Sequence, residues 1–355
     1  MTKSVYVVST SPHSGKSAVC LALALVLREE GMAVSYMKPV GASLMRLEDC
    51  YTDADACVAW DALGIEAPRE YASPVLLTDE LRVAPLAGPV EGLETQITQA
   101  LARLSEGQDV VVMEGLGRTF DGQALGLSAP RVADLTDAAV MPVIGYRPDL
   151  DLDSILYTQQ LFGDRLIGIV VNGAPKRVVE TTTGRLEPFM ERHGLKLFGV
   201  LARDPVLRSV TVKDLADELG GQVLCAQDQL GELVETFILG AMTGDAAFRF
   251  FQRKANKAVI TGGDRSDVIM AALRTSTRCL ILTGNLRPDV RVLGAAADQG
   301  VPMILVREDT LTTSDKVERA IGHVRLSSPK QLARLKETKS EYWGMAQAVK
   351  QALGL

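Results

Sequence analysis

The chain has 355 residues, longer than one ordinary domain; at about 150 residues per domain it holds two. A composition of 47% hydrophobic and 23% charged residues excludes wholesale disorder. The net charge of −6 is unevenly spread, with 19 basic and 27 acidic residues up to Arg208, and no segment is basic enough for a general nucleic-acid surface.

At the start, the apolar run Val5 to Val8 is too short for a secretory signal. No stretch reaches the roughly 18 consecutive apolar residues that a membrane span needs. The cysteines Cys20, Cys50, Cys57, Cys225 and Cys279 form no CxxC pair, and with only His13, His193 and His323 besides they supply a zinc site poorly. The expectation is a cytoplasmic protein in a reducing compartment, with neither nucleic acid nor membrane as partner.

Val5 to Ser9 reads as a buried strand and Ala18 to Glu30 as an apolar helix closed by Gly31. Ala33 to Met37, Asp109 to Met113, Ala139 to Gly145 and Leu166 to Val171 read as further strands, with helices over Glu91 to Ser105 and Leu152 to Phe162. Strands without strict alternation, separated by helices, predict an α/β fold: a parallel sheet covered on both faces. A boundary falls near Ser209, after Arg203-Asp204-Pro205. Beyond it come a helix at Lys213 to Leu219 and strands near Ala258 to Ile260, Cys279 to Leu282 and Met303 to Val306. Helices over Asp267 to Arg274, Val290 to Asp298 and Ser314 to Ile321 complete a second, smaller α/β domain. The domains are therefore 1–208, 209–325 and a helical tail, 326–355, packed on the surface by Leu332, Leu335 and Trp343.

The strongest chemical signal is Ser14-Gly15-Lys16-Ser17, after one strand and before one helix. A phosphate needs backbone N–H groups, a positive charge and a hydroxyl for magnesium; the helix start, Lys16 and Ser17 supply them. The pattern G-x-x-x-x-G-K-[ST] would place its first glycine at Thr10, and neither Thr10 nor Ser9 is glycine. Lys38, in Met37-Lys38-Pro39-Val40, ends the second strand and points to the same crevice, as a second cation or as a solvated lysine. Asp53 and Asp55 read equally as a helix N-cap or as carboxylates for magnesium. Glu114 closes a very apolar strand before Gly115, as magnesium-organising acids do. Asn172 ends a later strand, as a reader of an adenine edge or as a turn residue.

Together, Ser14-Gly15-Lys16-Ser17, Lys38-Pro39-Val40, Asp53-Ala54-Asp55-Ala56, Glu114-Gly115 and Asn172 resemble the dethiobiotin synthetase-like branch of the P-loop fold over residues 1 to 208. That branch includes cobyrinic acid diamide synthase relatives and the amino-terminal region of long bacterial phosphotransacetylases. The resemblance implies that Ser14, Gly15, Lys16, Ser17 and Asn172 hold ATP. It gives Ser17, Asp55 and Glu114 to Mg²⁺, and places Lys16 and Lys38 at the transferred phosphoryl group. It also implies a homodimer. Two stretches depart from the ligases: Ser9-Thr10-Ser11-Pro12 stands for Gly-Thr-Asp-Thr, and Gly115-Leu116-Gly117-Arg118 for Gly-Ala-Gly-Gly.

Residues 209 to 325 resemble a DRTGG domain, on Gly240-Ala241-Met242, Thr261-Gly262-Gly263-Asp264-Arg265 and Thr283-Gly284. Gly262, Gly263, Asp264, Arg265, Thr283 and Gly284 are its candidates for a second small ligand, or plain turns. The expected function is an ATP- and Mg²⁺-binding protein with a nucleotide-sensing, regulatory role in central or acetyl metabolism, without phosphate acetyltransferase catalysis. The alternative is an ATP-dependent ligase joining a carboxylate or carbamate to an amine.

Overall fold

The computed structural model describes residues 2–47, 49–322, 326 and 328–355; the expected domain end at 325 lies outside them. Two compact units form, residues 1–203 with 331–355, and residues 204–330.

The first unit contains β1 (Lys3–Val8), α1 (Lys16–Glu29), β2 (Val34–Met37), α2 (Ala54–Leu63), α3 (Leu93–Ser105), β3 (Val110–Glu114), β4 (Ala139–Gly145), α4 (Leu152–Phe162), β5 (Ile169–Ala174), α5 (Val179–Arg192) and β6 (Leu197–Ala202). Its sheet runs β6–β5–β4–β1–β3–β2, and every neighbouring pair is parallel. All five residues of β3 are buried, as an unalternating apolar run requires when helices cover both faces. The register sets Val7 opposite Glu114 and Met37 opposite Met113. The loop after β1, the end of β3 and the residue after β2 therefore share one sheet edge.

Some elements differ from expectation. Helix α1 starts at Lys16, so Lys16 and Ser17 form its first turn. Strand β5 begins three residues later than Leu166 and runs on to Ala174, which takes Asn172 into the strand, opposite Gly145. Helix α5 carries Pro188 in its interior and Gly184 before it, residues that hide a helix from a sequence reading.

The second unit contains α6 (Val212–Leu219), β7 (Gln222–Cys225), β8 (Thr236–Leu239), α7 (Gly244–Phe251), β9 (Lys257–Gly262), α8 (Ser266–Leu273), β10 (Thr277–Thr283), α9 (Val290–Asp298), β11 (Met303–Leu305) and α10 (Thr310–Gly322). Its sheet runs β7–β11–β10–β9–β8; only β7 is antiparallel to its neighbour. Alternation sorts the strands onto two cores: Val259, Leu280 and Leu282 face one, and Ala258, Ile260 and Ile281 the other.

Two final helices, α11 (Pro329–Thr338) and α12 (Trp343–Leu353), follow, and residues 331–355 pack with the first unit. α12 and the turn before it lie on α1: Lys339 pairs with Glu29 at 2.6 Å, and Lys350 with Glu30 at 2.9 Å. Between this cover and the sheet, α1 buries Val19 through Ala24 without a break, which is why it reads as apolar nearly all round. Leu335 is buried as expected, whereas Trp343 is 56% exposed; Tyr342, Met345 and Val349 take the packing expected of it. No described helix is long and apolar enough to cross a membrane.

Candidate functional site

The loop between β1 and α1 is held by its own side chains. Ser9 Oγ donates to the Ser11 carbonyl at 2.8 Å and accepts from the Ser11 N–H at 3.3 Å. That brace closes the turn in a stretch where phosphate loops use glycine. Gly15 sits at φ +85° and ψ +22°, left-handed backbone that glycine adopts without strain. A Cβ on Gly15 would lie 2.2 Å from Asn172 Nδ2, the amide that donates to the Ser14 carbonyl at 2.8 Å. Asn172 thus buttresses the loop from β5, and the amide nitrogen expected to read a base is engaged there.

Beside the loop lies a buried cluster of charge. Ser17 Oγ donates to Glu114 Oε1 at 2.6 Å, and Tyr36 Oη donates to Oε2 at 2.5 Å. Burial raises the Glu114 pKa, opposed by the Lys38 cation and by the two hydroxyl donors. Lys16 Nζ reaches the Gly117 carbonyl at 3.4 Å, and burial lowers its pKa. Lys38 Nζ pairs with Asp53 Oδ1 at 2.9 Å and Asp55 Oδ2 at 2.7 Å. Burial alone would lower the Lys38 pKa, but Asp55, Glu114 and Asp53 more than offset it, and the ammonium is held charged.

The two aspartates divide the readings left open by the sequence. Asp53 caps α2: its Oδ1 accepts from the N–H groups of Asp55 and Ala56, and its Oδ2 from those of Ala42 and Ser43. Four backbone donors make it a loop clamp. Asp55, in the first turn of α2, is the more exposed partner of Lys38. Trp60 Nε1 donates to the Tyr36 carbonyl at 2.8 Å and docks α2 against β2.

Tyr36 and Ser9 are the residues that the sequence reading missed. Tyr36 is two positions before Lys38, so the pleat of β2 sends it to the side of Lys38; that period was the available signal. Among the described residues no group of three or more His, Cys, Asp or Glu could hold a metal. The Ser17 hydroxyl with the Glu114 carboxylate is instead the sparse oxygen set that suits magnesium carried by phosphates.

In the second unit, most of the predicted residues tie strand ends together. A Cβ on Gly263 would sit 1.7 Å from the Leu286 carbonyl oxygen, so glycine is needed for two backbones to touch. Gly262 leads into this loop, and a Cβ there would meet Asp264 Oδ1 at 2.5 Å. Gly284 (φ +72°) donates its N–H to the Glu308 carbonyl at 2.7 Å. Thr283 and Thr310 share a hydroxyl bond at 2.9 Å. Arg265 donates to the Met242 carbonyl at 2.7 Å and pairs with Asp267 at 3.2 Å, while Asp264 is exposed.

Residues 3–211 match the AAA domain family model. The match spans more than half of the chain, which belongs to that family, and its fold is the P-loop NTPase type. Residues 214–320 match the DRTGG domain. The chain is 23% identical to phosphate acetyltransferase from Deinococcus radiodurans, over 94% of this chain and 49% of that protein. It is 25% identical to phosphate acetyltransferase from Pseudomonas putida, over 88% and 46%. It is 28% identical to ATP-dependent dethiobiotin synthetase BioD 2 of Escherichia coli, over 60% of this chain and 98% of that protein. The chain thus spans about half the length of the phosphate acetyltransferases it matches. This is the combination that the residue pattern implied.

Proposed function

We propose that the first unit binds ATP with Mg²⁺ and that the chain is a nucleotide-responsive regulator in central or acetyl metabolism. The observation that carries this reading is the phosphate loop with Lys16 inside it and with Ser17 hydrogen-bonded to a buried Glu114. The opening N–H groups of α1 receive phosphate oxygens, aided by the helix dipole. Lys16 exchanges the Gly117 carbonyl for a phosphate. Ser17, Glu114 and Asp55 would hold the magnesium, which would supply charge neutralisation at the phosphates. The contacts these residues exchange, Lys16 with Gly117 and Asp55 with Lys38, couple nucleotide arrival to the segments after β3 and before α2. The likenesses to phosphate acetyltransferases support acetyl metabolism as the setting, and the DRTGG match supports a second ligand-responsive unit.

A second reading, an ATP-dependent carboxylate– or carbamate–amine ligase, is favoured by Lys38, a buried cation beside the loop, and by the likeness to BioD 2. Calorimetry with ATP and Mg²⁺, followed by ADP release with small dicarboxylates and diamines, separates the two. Tight binding without stimulated ADP release supports the regulator, and stimulated release supports the ligase.

A further inference from the structure

Helix α1 opens with Lys16 and Ser17, the side chains given to the nucleotide, and ends in Arg28-Glu29-Glu30. Carboxylates at a helix C-terminus face the negative end of its dipole and weaken the helix unless cations offset them. Here the cations come from the last residues of the chain. The turn Lys339–Tyr342 and α12 pack along α1, where Lys339 pairs with Glu29 and Lys350 with Glu30. Gln347 donates to the second oxygen of the Glu30 carboxylate. Tyr342, Met345, Ala346, Val349 and Leu353 are buried in the same segment. Apolar area therefore supplies the hold, and the charges set which end of α1 is gripped.

The segment also bears on a second support of the phosphate loop. Helix α12 packs on β6, the edge strand of the sheet, where Leu201 stands opposite Asn172. Asn172 is the side chain that holds the Ser14 carbonyl. One 11-residue helix thus braces both the helix that starts in the phosphate loop and the strand beside the loop's buttress.

We propose that residues 339–355 form a strap on the phosphate-loop unit, and that strap docking and nucleotide binding favour each other. The inference rests on the nucleotide reading above and gives that site a regulatory element within its own unit. A helix moves as a rod, so a strap that fixes the last turn of α1 also fixes the first turn, about 20 Å away. Nucleotide seated on the first turn in turn selects the α1 position that the strap grips. The coupling is reciprocal: the factor that the docked strap adds to ATP affinity is the factor that bound ATP adds to docking.

The test uses the full chain, with calorimetry of ATP and Mg²⁺ for affinity and hydrogen exchange of residues 343–353 for strap docking. Val349→Asp sets a carboxylate in the buried face of α12 and releases the strap. Exchange of 343–353 should then become fast, and ATP should bind about fivefold or more weakly, still at one site per chain. In wild type, saturating ATP should slow exchange of 343–353 by the same factor. Lys350→Glu opposes like charges at Glu30 and should also weaken binding, and adding Glu30→Lys, which reverses the pair, should restore it. Fast exchange of 343–353 with wild-type ATP affinity would overturn the proposal and leave the nucleotide reading standing. Exchange that ATP does not slow would do the same. Fewer binding sites at unchanged affinity would assign the strap to stability alone and also overturn it. If Val349→Asp does not fold or keeps slow exchange, the charge pair decides: unaltered binding in Lys350→Glu, or a loss that Glu30→Lys does not restore, overturns the strap. Absence of ATP binding in the wild-type chain would remove the nucleotide reading and this proposal together.

Discussion

Replacing Gly15 with alanine tests the conformation on which the phosphate loop depends. At φ +85° an alanine pays about 1–2 kcal/mol for left-handed backbone. Its Cβ, built at 2.2 Å from Asn172 Nδ2, also forces that amide off the Ser14 carbonyl, a loss of about 1 kcal/mol. The sum is about 2–3 kcal/mol, or about 30- to 150-fold in ATP affinity if the loop must hold this shape to bind. In an Asn172→Ala background the amide is already gone, so Gly15→Ala then costs only the backbone part. The double-mutant cycle should therefore show a coupling of about 1 kcal/mol. Calorimetric titration of ATP with Mg²⁺ into the four proteins reads this directly. Binding by Gly15→Ala within about threefold of wild type would refute the reasoning, as would full additivity with Asn172→Ala.

Three further outcomes follow from the same contacts. Tyr36→Phe removes one of the two hydroxyl donors on Glu114 and leaves the ring; the Mg²⁺ concentration for half-maximal ATP binding should rise about three- to tenfold in a metal titration. Lys257, fully buried and bonded to Thr275 and Ser276, has its pKa pushed down to about 8 by burial. The unfolded chain then binds more protons between about pH 8 and 10.5, so Lys257 makes stability rise with pH across that window, by at most about 3 kcal/mol. Lys257→Met should abolish that rise, as read from urea unfolding of both proteins at several pH values; a wild-type-minus-variant difference that does not change with pH would contradict it. Gly263→Ala must separate two backbones in contact, and a loss of more than about 2 kcal/mol in stability of the second unit is expected in the same unfolding assay.

Most of the first unit's fold was legible because its signals are local: β3 is an unbroken apolar run, and Gly-Lys-Ser opens a helix directly after a strand. The structure brings the expected residues together: Glu114 ends β3, Lys38 follows β2, and Lys16 and Ser17 open the helix after β1, all at one sheet edge. The partition of roles was not legible. Nothing in Asp53-Ala54-Asp55 says that both carboxylates pair with Lys38 while only the first also accepts four backbone N–H groups. The tail failed for a related reason: α12 has both Trp343 and Val349 to offer, and only the surface of α1 decides which is buried. In the second unit, glycines after strands fit both a ligand edge and plain turns, and the close backbone approach at Gly263 could not be read from the sequence.

The most direct measurement of the central claim is ATP binding by wild type and Lys16→Ala with Mg²⁺ present, by calorimetry on the full chain. Lys16 is buried in the phosphate loop, so its truncation removes a desolvated charge from the phosphates, and affinity should fall by at least about 30-fold. One binding site per chain in wild type, weakened to that extent in Lys16→Ala, is the predicted result. No heat from wild type, or equal binding by both proteins, would contradict nucleotide binding at this loop.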